Sequence, residues 1–387
     1  MKVALLVPGG VDRGGTHRVI PCLLWLIERV AAAGHELHVF AFAQEPEPGS
    51  WELLGARVHN AGRRPRRPRV LAQLLAEHRR APFHVLHAVW AAPAGTVAAL
   101  AGRVLGVPVL LHLTGGDLAD LRGIGFGARA RRRGRAWVRL AVAGASHVTV
   151  PSTLVLEQAR ALGIRAERLP YGVALDRWPP SAPRRRAPGE PARLLHVGSL
   201  NRVKDQGTLL RAAAALRDAG VPFRLDVVGE DTLGGSVQRL AAELGLGDTV
   251  RFHGFLPHAA LRPRVERADL LVVSSRHEAD PIVLLEAAVA GVPAAGTRVG
   301  HLADWAPDAA AAVPVGDAAA LAREIAALLA DEDRRLAMAV RAQARAVAED
   351  ADFTARRIQG LYAGLARTET AGFGRAPGWR RGRASAP

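Results

Sequence analysis

Short apolar runs alternate with longer amphipathic stretches along most of the chain. In the first half, segments such as 15–33 and 94–105 carry apolar residues at helical spacing, and short runs rich in Val, Leu and Phe lie between them. Strands separated by helices of this length are joined by crossover connections, which produce a parallel sheet covered on both faces. The predicted strands are 3–7, 36–42, 84–87, 109–113 and 147–150.

Residues 179–192 (PPSAPRRRAPGEPA) interrupt this alternation, and their Pro content predicts an interdomain linker. The alternation then restarts, so the pattern predicts an α/β fold with two Rossmann-like doubly wound domains, 1–178 and 193–350, facing each other across a cleft. A C-terminal helix over 351–367 is expected to pack back on the first domain, and 368–387 is expected to be a disordered basic tail. The second domain's predicted strands are 193–197, 223–228, 250–252, 270–273 and 293–295, and its helices begin near residues 204, 235, 259, 282 and 317.

The composition of the 387 residues, 49% hydrophobic and 23% charged, is that of a globular protein. A single cysteine, Cys22, excludes an intrachain disulfide and a Cys-rich zinc site. Pro8 ends the N-terminal apolar run too early for a signal peptide, and Pro93, Arg103 and Pro108 interrupt the longest apolar stretch, 85–113. We therefore expect a cytoplasmic protein, either freely soluble or peripheral at the inner face of the membrane.

The net charge of +16 is concentrated in the first half of the chain, where residues 1–178 carry 24 Lys and Arg against 12 Asp and Glu. Two Arg clusters, Arg63–Arg69 and Arg129–Arg139, stand out, and the second also contains apolar residues, which predicts contact with an anionic membrane surface. Because 50 of the 52 cations are Arg, a general bias toward Arg on a solvated surface is an equal alternative. No nucleic-acid partner is expected, since aromatic residues make up only 5% of the chain.

The most informative motif is SSRHEADPIVLLEAAVAGVPAAGT, residues 274–297. Glu278 lies in a loop after a predicted strand, and Pro281 suits the first turn of the next helix. Glu286 lies eight residues after Glu278 inside an apolar helix, where a buried carboxylate is costly unless it is paired. The hydroxyl pair of a ligand would supply that pairing. A solvated helix face is the alternative, which the apolar neighbours disfavour.

A second motif, LLHVGSLNRVKDQGTLLRA at 194–212, predicts a phosphate or diphosphate site. A strand ends at Gly198 and a helix begins near Lys204, so loop amides, the helix N-terminus, Arg202 and Lys204 would converge on one anion. The helix N-terminus repels a cation unless an anion binds there.

Two loops of the first half carry weaker signals. The loop after the first strand contains Gly14 and Gly15, which allow close approach of the backbone to a ligand, but it matches neither a P-loop nor a dinucleotide fingerprint. In HLTGGD, His112 and Thr114 share a strand face and Asp117 follows toward the cleft, although a structural histidine is the alternative. The chain contains no HExxH and no GxSxG, so metalloprotease and α/β-hydrolase chemistry are disfavoured.

Taken together, these segments resemble the retaining glycosyltransferases of the GT-B fold that use nucleotide-diphospho-sugars, over residues 2–361. The most specific part is Glu278 to Glu286, which is similar to the family's E-x7-E signature. The resemblance implies a catalytic role for Glu278, facing the donor sugar, and for His112 or Thr114. It also implies that Glu286 binds the ribose, that Arg202 and Lys204 hold the diphosphate, that Gly198, Ser199, Asp280, Ile282 and Val283 complete the donor site, and that Gly14, Gly15 and Asp117 lie near the phosphates or the acceptor.

The resemblance further implies front-side displacement without metal or cofactor, with the nucleotide-sugar as co-substrate and a small molecule, a glycan or a lipid-linked compound as acceptor. Two departures from the family pattern stand out. Ser199 occupies a place that is often Arg, and Asp280-Pro281 replaces part of a Glu-Gly-Phe-Gly-like loop, which would put a carboxylate near the donor sugar. The alternatives are a catalytically impaired nucleotide-sugar-binding protein and a nucleotide-sugar hydrolase or epimerase.

Overall fold

The computed structural model describes residues 1–187 and 189–370, which form two parallel α/β domains. The first contains an eight-stranded sheet whose strands are β1 (Lys2–Val7), β2 (Glu36–Ala41), β3 (Gly49–Leu53), β4 (Ala56–Asn60), β5 (Val85–Val89), β6 (Val109–His112), β7 (His147–Val150) and β8 (Glu167–Arg168). They lie in the order β3-β4-β2-β1-β5-β6-β7-β8, and β3 is antiparallel to β4. Its helices are α1 (Pro21–Ala32), α2 (Arg66–Arg80), α3 (Thr96–Leu105), α4 (Arg132–Ala143) and α5 (Thr153–Ala161).

The second domain contains a six-stranded parallel sheet in the order β11-β10-β9-β12-β13-β14. Its strands are β9 (Ala192–Val197), β10 (Phe223–Val228), β11 (Val250–Phe252), β12 (Leu270–Val273), β13 (Ala294–Thr297) and β14 (Ala311–Val313). The remaining helices are α6 (Gln206–Asp218), α7 (Ser236–Glu243), α8 (His258–Arg267), α9 (Ile282–Val289), α10 (Gly300–Trp305), α11 (Ala318–Ala330), α12 (Glu332–Ala348) and α13 (Ala351–Thr370).

The central strands are buried on both faces, as their continuous apolar runs require. All six residues of β1 are buried, and β1 pairs in parallel with β2 and β5. In the second domain, β9 pairs with β10 and β12 in the same way. The carboxyl ends of these central strands open into the cleft between the domains, so the loops that follow them form the candidate site.

Two predicted helix starts differ from the structure. The first helix begins at Pro21, six residues later than expected, because proline occupies its first position and the preceding loop turns back on itself. Helix α6 begins at Gln206 because Asp205 adopts a left-handed backbone conformation, with φ of 48°.

The C-terminal part of the chain returns to the first domain. Helix α13 packs against α1, and Tyr362 is hydrogen-bonded to the buried ring of His87, with 2.8 Å between Oη and Nδ1. The predicted tail, 368–387, lies outside the described residues from 371 onward. Among the helices described, none combines the length and the apolar character that crossing a membrane requires.

Candidate functional site

Loops from both domains meet at the cleft. The ring of His277, in the loop after β12, donates from Nε2 to the carbonyl oxygen of Gly115 in the loop after β6, over 2.7 Å. Nearby, the amide of Tyr171 donates to Oδ2 of Asp280 at 3.2 Å. The loop after β12 therefore holds the predicted Glu278 beside the first domain.

A short ion pair joins Lys204 to Glu278. The ammonium nitrogen Nζ lies 2.6 Å from Oε1 of Glu278, and the hydroxyl of Ser275 donates to the same oxygen at 2.6 Å. The two charged side chains are 25% and 13% exposed, so solvent and ligands can reach both. The stem of Lys204 lies over Gly198, where an added Cβ would be 3.0 Å from Cε, so a larger residue at position 198 would displace the lysine.

The loop that carries Lys204 is held by its own polar groups. Oδ1 of Asn201 accepts from the amides of Val203 and Lys204 at 3.0 and 2.9 Å. The carbonyl of Ser199 accepts from Gln206 at 3.2 Å, so Ser199 contributes its backbone to the loop. These contacts fix Lys204 just before the N-terminus of α6.

Arg202 is placed differently from Lys204. It is exposed, and no ion pair of Arg202 is seen in the part of the chain that the structure describes. A neighbouring arginine that the sequence analysis did not single out, Arg276, forms an ion pair with Asp205, with 2.9 Å between Nε and Oδ2. Of the two predicted diphosphate-binding cations, the structure therefore brings only Lys204 to Glu278.

Glu286 lies in the second turn of α9 and is buried. Its Oε1 lies 2.6 Å from Nε2 of His258, the first residue of α8, and the ring of His258 packs between Trp25 and Trp178. Burial raises the pKa of Glu286, and the hydrogen bond and charge of His258 partly offset that rise. The carboxylate expected to face ligand hydroxyls thus has a protein partner in this structure.

His258 is a site residue that sequence reasoning missed. The available signal was a histidine placed directly after Pro257 at a strand-to-helix turn, in a domain with one carboxylate inside an apolar helix. Nothing in the local pattern connects His258 with Glu286, because the two helices meet only in the folded domain.

The start of α9 offers backbone donors. Ile282 and Val283 form its first turn, where N–H groups lack partners within the helix. Their side chains pack into the second domain's core, so the backbone rather than the side chains is available to an anion.

Asp280 does not point where the sequence predicts. Its Oδ1 lies 3.1 Å from Nε2 of the buried His301, and its Oδ2 accepts the Tyr171 amide. A carboxylate with a buried cation on one oxygen and an amide on the other is already compensated, so Asp280 is not free to face the donor sugar. The expectation of a donor-facing Asp280 is corrected accordingly.

The predicted His112 lies in the core of the first domain. Its Nδ1 lies 2.9 Å from Oγ1 of Thr149, and its ring stacks on Tyr171 with centroids 4.3 Å apart. Burial lowers the pKa of His112 to about 3, so the ring is neutral at pH 7. In this structure His112 is placed as a structural histidine, which was the alternative to a catalytic role. Thr114, two residues further on, is half-buried.

Asp117 is buried as well, rather than directed into the cleft. Its Oδ2 accepts from the amides of Ala91 and Thr114 at 2.9 and 3.2 Å, and burial raises its pKa to about 7. Gly14 and Gly15 lie at the surface in a turn, with Gly15 at φ of 63°. Asp117 thus shapes the loop beside His277, whereas the two glycines are accessible.

Within the described residues, one group has the spacing of a metal site, namely His38, His59 and Glu77. It lies on β2, β4 and α2, away from the cleft. The carboxylate of Glu77 is already paired with two cations, since its Oε1 lies 2.6 Å from the guanidinium of Arg80 and its Oε2 lies 3.9 Å from Nζ of Lys2.

Sequence comparisons assign both halves of the chain to known families. Residues 19–172 match the family described as glycosyl transferase 4-like domain, and residues 181–345 match glycosyl transferases group 1. D-inositol 3-phosphate glycosyltransferase 1 of Catenulispora acidiphila is 31% identical over 335 residues, which cover 77% of this chain and 78% of the relative. The match to D-inositol 3-phosphate glycosyltransferase of Corynebacterium urealyticum, 33% identical, covers 44% of this chain and 42% of that protein.

Solved structures share the architecture. Sucrose-phosphate synthase of Thermosynechococcus elongatus superposes with a TM-score of 0.79 at 22% identity, over 95% of this chain and 99% of the other. Anabaena HepE in complex with UDP and glucose gives 0.72 at 20% identity, over 94% and 100%. The predicted fold class is thereby confirmed, and the chain belongs to the family 4-like glycosyltransferases of the GT-B fold.

Proposed function

We propose that this glycosyltransferase moves a hexose from a nucleotide-diphospho-sugar to an acceptor hydroxyl and retains the anomeric configuration. The observation that carries the proposal is the Lys204–Glu278 ion pair, which is accessible where the loops after β9 and β12 meet beside the first domain. The similar structure of Anabaena HepE, described in complexes with UDP and with UDP-glucose, favours a UDP-sugar as the first donor to test.

In this proposal the second domain binds the donor. The amides at the start of α9 and the ammonium of Lys204 hold the diphosphate in this proposal, because a helix N-terminus and an ammonium both favour an anion and Lys204 pairs with the loop that precedes α9. Glu286 accepts hydrogen bonds from the ribose hydroxyls, either after His258 releases the carboxylate or through the oxygen that His258 leaves free. Glu278 then faces the sugar, and donor phosphate replaces it as the partner of Lys204.

The reaction follows from these positions. The acceptor oxygen attacks the anomeric carbon on the face from which the diphosphate leaves, and the bond from that carbon to the phosphate oxygen breaks. The departing oxygen keeps the bonding electron pair and takes the proton of the acceptor hydroxyl. Lys204 and the helix amides stabilise the charge that develops on the diphosphate, so the proposed step needs neither a protein nucleophile nor a metal.

The acceptor is proposed to be anionic or lipid-linked. Residues 1–178 carry twice as many cations as anions, and several relatives are named for D-inositol 3-phosphate, a phosphorylated small molecule. Exposed apolar side chains of α3 and α4, namely Leu100, Val104, Trp137 and Leu140, also lie among the Arg clusters, and Arg67 stacks on Trp137 at 4.4 Å. This basic and apolar patch supports peripheral contact of the first domain with an anionic membrane.

The test is nucleotide release from a panel of UDP-, GDP- and ADP-sugars, with chelator and with a panel of acceptors. Lys204→Ala and Glu286→Gln are expected to lose turnover, whereas the surface controls Arg211→Ala on α6 and Glu243→Gln on α7 keep it. NMR of the product's anomeric centre decides between retention and inversion. Turnover that requires an added divalent cation would overturn the metal-free step.

The same panel separates the alternatives. Release of nucleotide without any glycosylated product would indicate a hydrolase, and conversion of the sugar on its nucleotide would indicate an epimerase. Donor binding measured by calorimetry without any turnover would indicate a binding protein.

A further inference from the structure

A buried histidine lies between two carboxylates beside the cleft. His301, in α10, is 1% exposed, and its ring packs against Trp305. Nε2 lies 3.1 Å from Oδ1 of Asp280, and Nδ1 lies 3.7 Å from Oδ2 of Asp304. Neither approach is aligned as a hydrogen bond, so the three groups interact chiefly through charge.

Both carboxylates also contact the first domain. Asp280 accepts the amide of Tyr171 at 3.2 Å. Asp304 accepts the amides of Thr153 and Leu154, the first two residues of α5, at 2.6 and 3.0 Å. A carboxylate at a helix N-terminus is favourable, and this one comes from the other domain. His301 is therefore the common partner of two acidic contacts that bridge the domains.

The charge on His301 decides whether this arrangement is stable. The Asp280 and Asp304 side chains are only 8% and 10% exposed, so two carboxylates on either side of a neutral ring would repel each other with little compensation from solvent. Burial lowers the pKa of His301, but its ion pairs with Asp280 and Asp304 outweigh burial and raise the pKa to about 9. The remaining charged or titratable groups near the cluster are Arg168 on β8, which is engaged with Glu349, together with Tyr171, Cys22 on α1 and Arg345 on α12.

The cluster is packed directly against the loop that carries Glu278. A Cβ added to Gly300, the residue before His301, would lie 3.1 Å from Cδ of Pro281 and 3.2 Å from the carbonyl oxygen of Glu278. A side chain at position 300 would thus require residues 278–281 to move by a few tenths of an ångström. The residue before His301 is therefore packed closely against the loop that carries Glu278.

We propose that His301 is a positioning residue which, as an imidazolium, joins Asp280 to Asp304 and thereby sets both the interdomain arrangement and the placement of Glu278. The effect on transfer rests on the proposed function, whereas the effect on the interdomain contacts does not. The cationic form is stabilised by folding, since the pKa of His301 in the folded chain lies above the ordinary 6.5. The contribution is complete below pH 6.5 and is lost as the pH rises through about 9.

Hydrogen exchange tests the contacts without any assay of activity. In the unmodified protein, the protection factors of the Thr153 and Leu154 amides should stay constant up to pH 8 and fall about tenfold or more by pH 10. The fall is expected because His301 then loses the positive charge that compensates the two carboxylates. His301→Gln should show the lower protection already at pH 7. The matched control is His147→Gln, since His147 pairs with Glu167 at 3.1 Å entirely within the first domain.

His301→Lys restores a cation and supplies the second variant. Because lysine ordinarily titrates near pH 10.4, its protection should resemble that of the unmodified protein at pH 7 and persist to a higher pH. The kcat for sugar transfer should rank the three proteins as the protection factors do. It should fall above pH 9 in the unmodified enzyme and be low at every pH in His301→Gln. If the exchange results are as expected but the unmodified protein transfers no sugar, the proposed function fails and the interdomain role of His301 stands.

Two results would overturn the proposal. One is protection of the α5 amides in His301→Gln within twofold of that in the unmodified protein at pH 7. The other is an unmodified protein whose protection factors at these amides do not change up to pH 10.

Discussion

The ammonium group of Lys204 lies 2.6 Å from the carboxylate of Glu278, although 74 residues separate the two in the chain. Lys204 is one of only two lysines in a chain with 52 cations. Its stem lies over Gly198, and its compact ammonium is a point charge that a planar guanidinium does not reproduce. The pair places opposite charges at the carboxyl ends of two adjacent strands, β9 and β12, where α/β folds bind ligands.

We expect Lys204 and Glu278 to act as one unit in turnover. Lys204→Ala and Glu278→Gln should each lower kcat/KM for the donor by about a hundredfold or more, and the double variant should lose little beyond either single one. Lys204→Arg should recover only part of the activity, because a planar guanidinium does not present the compact charge of an ammonium. Steady-state kinetics of the unmodified protein, the two single variants and the double variant completes a double-mutant cycle, and Lys204→Arg is measured beside it. Losses that multiply in the double variant would show that the two residues act independently.

The sequence predicts the central strands of both sheets well, because their apolar runs are continuous and bounded by turns. It misses β3, β4, β8 and β14, of which β3, β8 and β14 lie at sheet edges. Strand β3 alternates partly exposed with exposed residues before Leu53, and β8 has two residues, so neither leaves a hydrophobic signal. An edge strand forms because a neighbour offers free backbone groups, and that neighbour is known only once the sheet is assembled.

The candidate site divides in the same way. Glu278 and Lys204 are identifiable because each stands at a loop after a strand, which fixes its position in an α/β fold. Asp280 lies in the same loop as Glu278, yet the direction of its side chain depends on His301, which lies 21 positions further along the chain. The partner of Glu286 is likewise set by the packing of α8 on α9, and no local pattern encodes it.

Donor binding should depend on the ionisation of Glu286. Burial raises the pKa of Glu286 above its ordinary 4.5, so affinity for the probe UDP should fall as the pH is lowered through that raised pKa. His258→Phe removes the hydrogen bond that opposes the rise, so the loss of affinity should move to a higher pH. Calorimetry with UDP between pH 5 and 8 measures both.

Glu286→Gln is the reference for that titration. It should bind UDP about tenfold more weakly, in line with loss of a charged hydrogen bond, and its affinity should not change over the same pH range. Glu243→Gln, at an exposed position of α7, should behave as the unmodified protein. A Glu286→Gln protein that retains the acid-dependent loss would assign the titration to another group.

The basic and apolar patch of α3 and α4 should bind anionic vesicles. We expect co-sedimentation with vesicles of phosphatidylglycerol, weaker binding at 0.5 M salt, and little binding to phosphatidylcholine alone. Trp137→Ser with Leu140→Ser should reduce the bound fraction severalfold, because each removes apolar area that would enter the interface. The control is Val340→Ser on α12 of the second domain, since Val340 is also exposed. Equal binding by the patch variant and the control would remove this surface from consideration.

The return of α13 to the first domain should depend on the buried bond between Tyr362 and His87. Burial lowers the pKa of His87 to about 3, so the ring is neutral at pH 7 and its Nδ1 would lack a partner in Tyr362→Phe. The free energy of unfolding should therefore drop by about 1–3 kcal/mol, the usual cost of an unpaired buried polar group.

Urea denaturation at pH 7.5 measures that loss under conditions where titration of His87 does not intervene. Because the unfolded chain protonates His87 near pH 6.5 and the folded chain only near 3, stability should decline in both proteins as the pH falls below 6.5. Arg356→Ala, at an exposed position of the same helix, should change the free energy by less than about 0.5 kcal/mol. Equal unfolding midpoints for Tyr362→Phe and the unmodified protein would mean that apolar packing alone holds α13, and that water readily replaces the tyrosine hydroxyl beside His87.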